Sequence, residues 1–232
     1  MNRKASLITF ASLLAILLCT ATAGAQVLYT SFGPSYAYDN GVDNNWYVGS
    51  YPPTGQYFVE AMPFTPNATA QVGSAVLALQ NDFGNPAVPG DTAINNTPLI
   101  VYLESDNSGQ PGAILATLTQ GGIIPGYGTG GAPITFTCAS CPVVNASTLY
   151  WLVAYEPDLF SRQDWMYSYL DSAGSQAFDF NDANSATGPW QVSNQNLQSA
   201  FEVDAVPEPG TLLMMGSGAI GLAGLLRRKV MA

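Results

Sequence analysis

Short apolar runs, each closed off by glycine, proline, asparagine or aspartate, fill the middle of this 232-residue chain and limit its fold more than any other feature. Residues 57–62 lead into Pro63 and Phe64. Runs at 72–79, 99–104, 114–118, 134–137, 149–155, 165–170, 177–180 and 200–203 follow. Each has the length of a strand, is rich in Val, Ile, Tyr, Phe or Trp, and ends in turn-forming residues. Between residues 26 and 206 no segment holds a helical period with helix-forming residues on its surface. Strands this short and this numerous predict one all-β domain, an antiparallel β-sandwich of jelly-roll type.

The connections support that reading. Residues 106–112 form a turn cluster between two apolar runs, and 85–98 and 120–133 are long loops rich in Gly and Pro. The glycines of 126–131 have no lysine beside them and no helix after them, so they read as loop and not as a phosphate cradle.

Charge is distributed unevenly. The central 181 residues, 26–206, carry fifteen acids and one base, Arg162, for a net charge of −14. Such a surface repels nucleic acid and anionic lipid and attracts cations. The chain contains no histidine, which removes the usual general base and the commonest transition-metal ligand. A glycosidase would need two carboxylates at a set separation. Glu104, Glu156 and Asp158 are available, but most other acids sit in turns, and the reading is that the protein is not an enzyme.

The two ends have a different character. Arg3 and Lys4, an apolar core over 7–19 and the small residues Ala23-Gly24-Ala25 predict a cleaved signal peptide over 1–25, with Gln26 as first mature residue. An uncleaved anchor is the alternative. Cys19 follows Leu17-Leu18, where a lipoprotein would have small residues, and it leaves with the leader. At the other end, Pro207-Glu208-Pro209 precedes an apolar run over 210–226 and the cations Arg227, Arg228 and Lys229. A helix over that run is about 25 Å long, slightly short of a hydrocarbon core of about 30 Å. Three cations after it hold that end in the cytoplasm. Ser217, Gly221 and Gly224 permit close contact with another helix, or simply mark a glycine-rich span.

Val206-Pro207-Glu208-Pro209, the apolar run and the basic cluster together resemble the PEP-CTERM sorting signal. The resemblance implies export across the inner membrane of a Gram-negative bacterium and processing by exosortase near Pro207-Glu208-Pro209. The body would then reach the cell envelope, outer surface or extracellular space. The implied partners are signal peptidase, exosortase and, before processing, the membrane. A second resemblance lies in the body. Residues 61–66, 101–112, 115–118, 135–137 and 150–153 resemble the choice-of-anchor R domain, a secreted β domain carried on interchangeable sorting tails. The insertion at 81–97 departs from its compact form. That resemblance carries over no catalytic residue.

Three sets of residues remain as candidate sites. Cys138 and Cys141 read as a local disulfide in an exported chain, with a redox pair as the alternative. A metal site there lacks a second pair of soft ligands. Asp39 and Asp43, and Asp179 and Asp182, lie in oxygen-rich segments that either bind Ca²⁺ or form plain turns. Trp165 and Trp190 either offer faces to a sugar or pack half-buried. No other cofactor is expected. The leading expectation is a non-enzymatic surface or matrix protein. The alternative is a carbohydrate-binding module acting on exopolysaccharide.

Overall fold

The computed structural model describes residues 25–41, 44–51, 55–82, 97–158, 161–168, 176–180, 186–193 and 197–207, together with Gly218. The chain forms two compact units, one of them Gln26–Val206, which holds every strand. Among the described residues, fourteen strands make up this unit. They are β1 (Val27–Thr30), β2 (Tyr38–Asp39), β3 (Asn45–Tyr51), β4 (Gln56–Phe64), β5 (Ala70–Asn81), β6 (Ile100–Asp106) and β7 (Pro111–Gln120). Next come β8 (Ala132–Thr137), β9 (Val143–Val144), β10 (Tyr150–Tyr155), β11 (Arg162–Ser168), β12 (Ala177–Phe180), β13 (Gln191–Val192) and β14 (Phe201–Ala205). A 3₁₀ turn, Pro34–Tyr36, interrupts the strands. All nine sequence-predicted runs fall on strands, with 169–170 of one run lying outside the described residues, and among the described residues every pairing is antiparallel.

The strands belong to one hydrogen-bonded sheet that returns on itself. The path β5-β8-β7-β6-β10-β4-β3-β11 closes because β11 also pairs with β5, through Gln163 opposite Asn81 and Trp165 opposite Leu79. The antiparallel all-β expectation therefore holds, while the two layers of a sandwich are joined into a barrel-like closure. Closure leaves fewer edge strands with unpaired backbone groups. Two strands make it possible by changing partners along their length. β5 lies beside β14 over Val72–Leu77 and beside β11 from Leu79 onward. β4 meets β3 over Gln56–Phe58 and β10 over Glu60–Phe64.

Alternation along each strand divides the side chains between faces. Val48, Met62, Phe64, Leu77, Leu79, Leu103, Leu118, Phe136, Leu152, Trp165 and Phe201 belong to the main core. Each large side chain buried this way contributes about 1.5–3 kcal/mol. The opposite face of β4 and β10 carries a second cluster of Tyr57, Val59, Ala61, Trp151 and Val153. Behind β5 and β11 lies a third, formed by Phe32, Val76, Ala78, Met166 and Ala200. Both faces of β10 are thus covered, which accounts for its unbroken apolar run. Cys138 and Cys141 are joined as a disulfide after β8, with Cα atoms 5.5 Å apart.

Candidate functional site

The face of β5 and β11 turned away from the main core carries a polar cavity. Leu79 and Trp165 point into the core, so Gln80 and Asp164, paired across the two strands, point the other way. Asp82, just past β5, and Met166 extend this floor. Asn40, Gly41 and Asn45 form one wall, and the glycine-rich loop between β7 and β8 supplies Tyr127, Gly128 and Gly130. The cavity encloses about 150 Å³.

Local bonding shows why the loop lies there. The Gly130 N–H donates to Gln80 Oε1 at 3.0 Å, and the Tyr38 hydroxyl donates to the Gly130 carbonyl at 3.0 Å. Gly131 has φ +73°, and an added Cβ would press on the Leu79 carbonyl at 3.1 Å. These glycines therefore seat a loop flat against the sheet. Their place in the sequence had indicated a loop but not the surface it covers.

The charges are tightly packed. Arg162 Nη2 lies 2.5 Å from Asp82 Oδ2, and its Nε donates to the same oxygen at 2.6 Å. The guanidinium also stands over the rings of Tyr47 and Tyr51, 5.3 and 5.6 Å from their centroids. The body's single cation is thus buried in a structural ion pair and an aromatic stack. Asp164 is 4% exposed and accepts from Asn45 Nδ2 at 2.7 Å and Gln80 Nε2 at 3.5 Å. Burial pushes its carboxyl well above the usual carboxylate range. The neighbouring Asp82 pushes the same way, and Arg162 and Gln80 oppose.

Buried carboxyls elsewhere are raised as well. Glu104 on β6 faces Trp151 across the ladder; neither of its carboxyl oxygens has a hydrogen bond, and burial lifts its pKa to about 7. Glu156 is also lifted to about 7 by burial, against the Asp158 N–H, which bonds its Oε1 at 3.1 Å. Glu60 is fully buried, raised by that burial, and accepts from Gln176 Nε2.

The sequence-predicted residues fall as follows. Trp165 is fully buried, stacks edge-on against Phe201 and donates its Nε1–H to the Ala200 carbonyl at 3.0 Å. Its ring offers no face to a sugar, which corrects that reading in favour of core packing. Trp190 is partly exposed at the margin of the second cluster. Asp39 caps a turn, its Oδ1 accepting from the Gly41 N–H at 3.0 Å and its Oδ2 from Asn44 Nδ2 at 2.9 Å. Asp179 is buried on β12, while Asp43 and Asp182 lie outside the described residues. Among the described residues no three Asp, Glu, Cys or His side chains gather where they would hold a metal. Asp82, Asp164, Gln80 and Tyr127 escaped the sequence reading, whereas Asn45 lies in the oxygen-rich segment of Asp39 and Asp43. The one signal pointing to them was Arg162, the body's lone cation, with Asp164 two residues on and so on the same face of a strand.

The folded body stops just where the tail begins. β14 ends at Ala205, whose N–H bonds the Gln26 carbonyl at 2.8 Å, and the Val206 N–H bonds Gln71 at 2.9 Å. Pro207 then stands exposed. Residues 205–229 match the PEP-CTERM protein-sorting motif. No curated protein matches the chain. The PEP-CTERM motif implies exosortase as processing partner, and with it export and a place in the cell envelope or at its surface. Glu208, Pro209, Arg227, Arg228 and Lys229 belong to the matched segment but lie outside the described residues, as do the predicted helix over 210–226 and the leader over 1–24. Among the described residues no helix is long and apolar enough to cross a membrane.

Proposed function

We propose that this chain is a non-enzymatic structural or adhesion component of the bacterial surface or extracellular matrix, delivered by exosortase and freed from its tail near Pro207-Glu208-Pro209. The observation that carries this reading is the position of the PEP-CTERM motif, which begins on the last residue of the last strand. Among the described residues, cleavage after Val206 would remove none of the barrel's hydrogen bonds. The resemblance of the body to a choice-of-anchor domain supports the same reading, as does a chain without histidine in which the body's one guanidinium is committed to Asp82. Intact-mass measurement of the secreted protein tests it. The expected mass lacks residues beyond about 207, and replacing Pro207-Glu208-Pro209 by alanines should leave the tail attached. A secreted wild-type protein that retains the tail would rule the proposal out.

A second reading, binding of exopolysaccharide, is favoured by the polar cavity and by the partly exposed ring of Trp190. Affinity electrophoresis in gels containing exopolysaccharide should then retard the protein, and Trp190→Ala should reduce the retardation if that ring is a platform. Equal mobility with and without every polysaccharide tried would leave only the structural role.

A further inference from the structure

We infer that the cavity over β5 and β11 binds one six-membered ring bearing a primary ammonium group, an amino sugar in its unacetylated form. This inference rests on the glycan-binding reading for its biological sense but not for its chemistry. Size is the first constraint. A cavity of 150 Å³ is the volume that takes about one six-membered ring, so an extended oligosaccharide would have to enter by a single unit.

Charge is the second constraint. Asp82 and Asp164 bring two carboxyls to the lining, and Arg162 is committed to Asp82 and to the rings of Tyr47 and Tyr51. Asp164 therefore lies buried beside a like charge with amides as its donors. A carboxylate offers roughly four acceptor positions, and Asn45 and Gln80 take two of them. In the protein alone, a proton shared with Asp82 answers the remaining need. An ammonium group would answer it better, donating three N–H bonds and releasing that proton to solvent. The half-buried ring of Tyr127 stands at the same cavity and adds an aromatic surface for a cation.

Competing ligands fit less well. Anions would meet two carboxyls in a body of charge −14. Ca²⁺ requires about 6–8 oxygens, whereas no three acidic side chains gather among the described residues and the Gln80 oxygen already accepts from Gly130. A neutral polyol would satisfy hydrogen bonds but would bring no charge to the Asp82–Asp164 pair.

Calorimetric titration of the secreted protein at pH 7, where glucosamine carries its ammonium charge, tests the assignment, with glucosamine, N-acetylglucosamine, cyclohexylamine and CaCl₂ as probes. Glucosamine should bind at millimolar concentration, and N-acetylglucosamine, the same ring without the charge, should bind at least about tenfold more weakly. Asp164→Asn should weaken glucosamine by about tenfold or more, with cooperative thermal unfolding retained. Tyr127→Ala, a loop substitution that spares the barrel, should weaken it by about fivefold and covers the case in which Asp164→Asn fails to fold. Lowering the pH to 5 should weaken binding, because Asp164 takes up its proton among Asp82, Arg162, Tyr47 and Tyr127. Cyclohexylamine should bind more weakly than glucosamine, since it lacks the hydroxyls. The assignment is overturned by no glucosamine binding, by equal binding of the acetylated sugar, by indifference to both substitutions, or by Ca²⁺ binding that displaces glucosamine. Glucosamine binding without retardation by any polysaccharide would keep the cavity assignment and remove the glycan-binding function. Retardation that survives Asp164→Asn and excess glucosamine would do the reverse.

Discussion

Glu104 lies on β6 opposite Trp151 with both carboxyl oxygens buried and unbonded, and its pKa rises from 4.5 to about 7. The folded state therefore holds this proton more tightly than the unfolded chain does. Its favourable contribution is complete below about pH 4.5 and is lost as pH climbs through about 7. Glu104→Gln keeps the shape and removes the titration. At pH 8 the variant should be more stable than wild type by on the order of 2 kcal/mol, and near pH 4 the two should coincide. Urea denaturation at both pH values measures this, and a difference that does not change with pH would refute it. In the sequence Glu104 stood out only as one of three carboxylates available to a glycosidase, with nothing to mark it as buried. Its burial follows from Trp151 and Tyr102 packing around it, which no local pattern announces.

At the scale of an element, β3 shows how a corner is made. Gly49 pairs with Arg162 on one side and Phe58 on the other, where the strand passes from β11 to β4. Its φ is +108°, and an added Cβ would run into the Ser161 carbonyl oxygen. Gly49→Ala should therefore destabilise the barrel by on the order of 3 kcal/mol. Gly55→Ala, at φ +65° with open space around the new methyl, should cost about 1 kcal/mol. Equal urea midpoints for the two variants would contradict this account of the corner. The same strand shows where sequence reading stops. Nine strands were legible because each is a short run rich in β-branched and aromatic residues and closed off by turn formers. β3, written Asn-Trp-Tyr-Val-Gly-Ser-Tyr, was not, because its asparagine, glycine and serine look like turn residues. β1 was missed because it is four residues long, and β2, β9 and β13 because each is two.

For the whole molecule, the number and shortness of the apolar runs pointed to the class but not to the closure. Closure depends on β4 and β5 each serving two neighbours on one side, a property of long-range pairing that leaves no local trace. The candidate cavity was hidden for the same reason. Asn40, Gln80, Tyr127 and Asp164 come from four separate stretches, and only the seating of the 126–131 loop on β5 brings them together. The C-terminal end was the reverse case, since a sorting tail is written as one contiguous string. The pairing of β1 with β14, through Tyr29 opposite Val203 and the Gln26–Ala205 bond, also bears on the order of events during export. The β6–β7 hairpin can form as soon as both its strands have emerged. The seam between the first and last strands cannot be sewn until the C-terminal strand has cleared the translocation channel, because the contacts with the greatest separation in sequence are the slowest to be found. The ring itself, shut by β11 on β5, needs no residue beyond 168, so this seam fastens the two ends of the body onto a barrel that can already be complete.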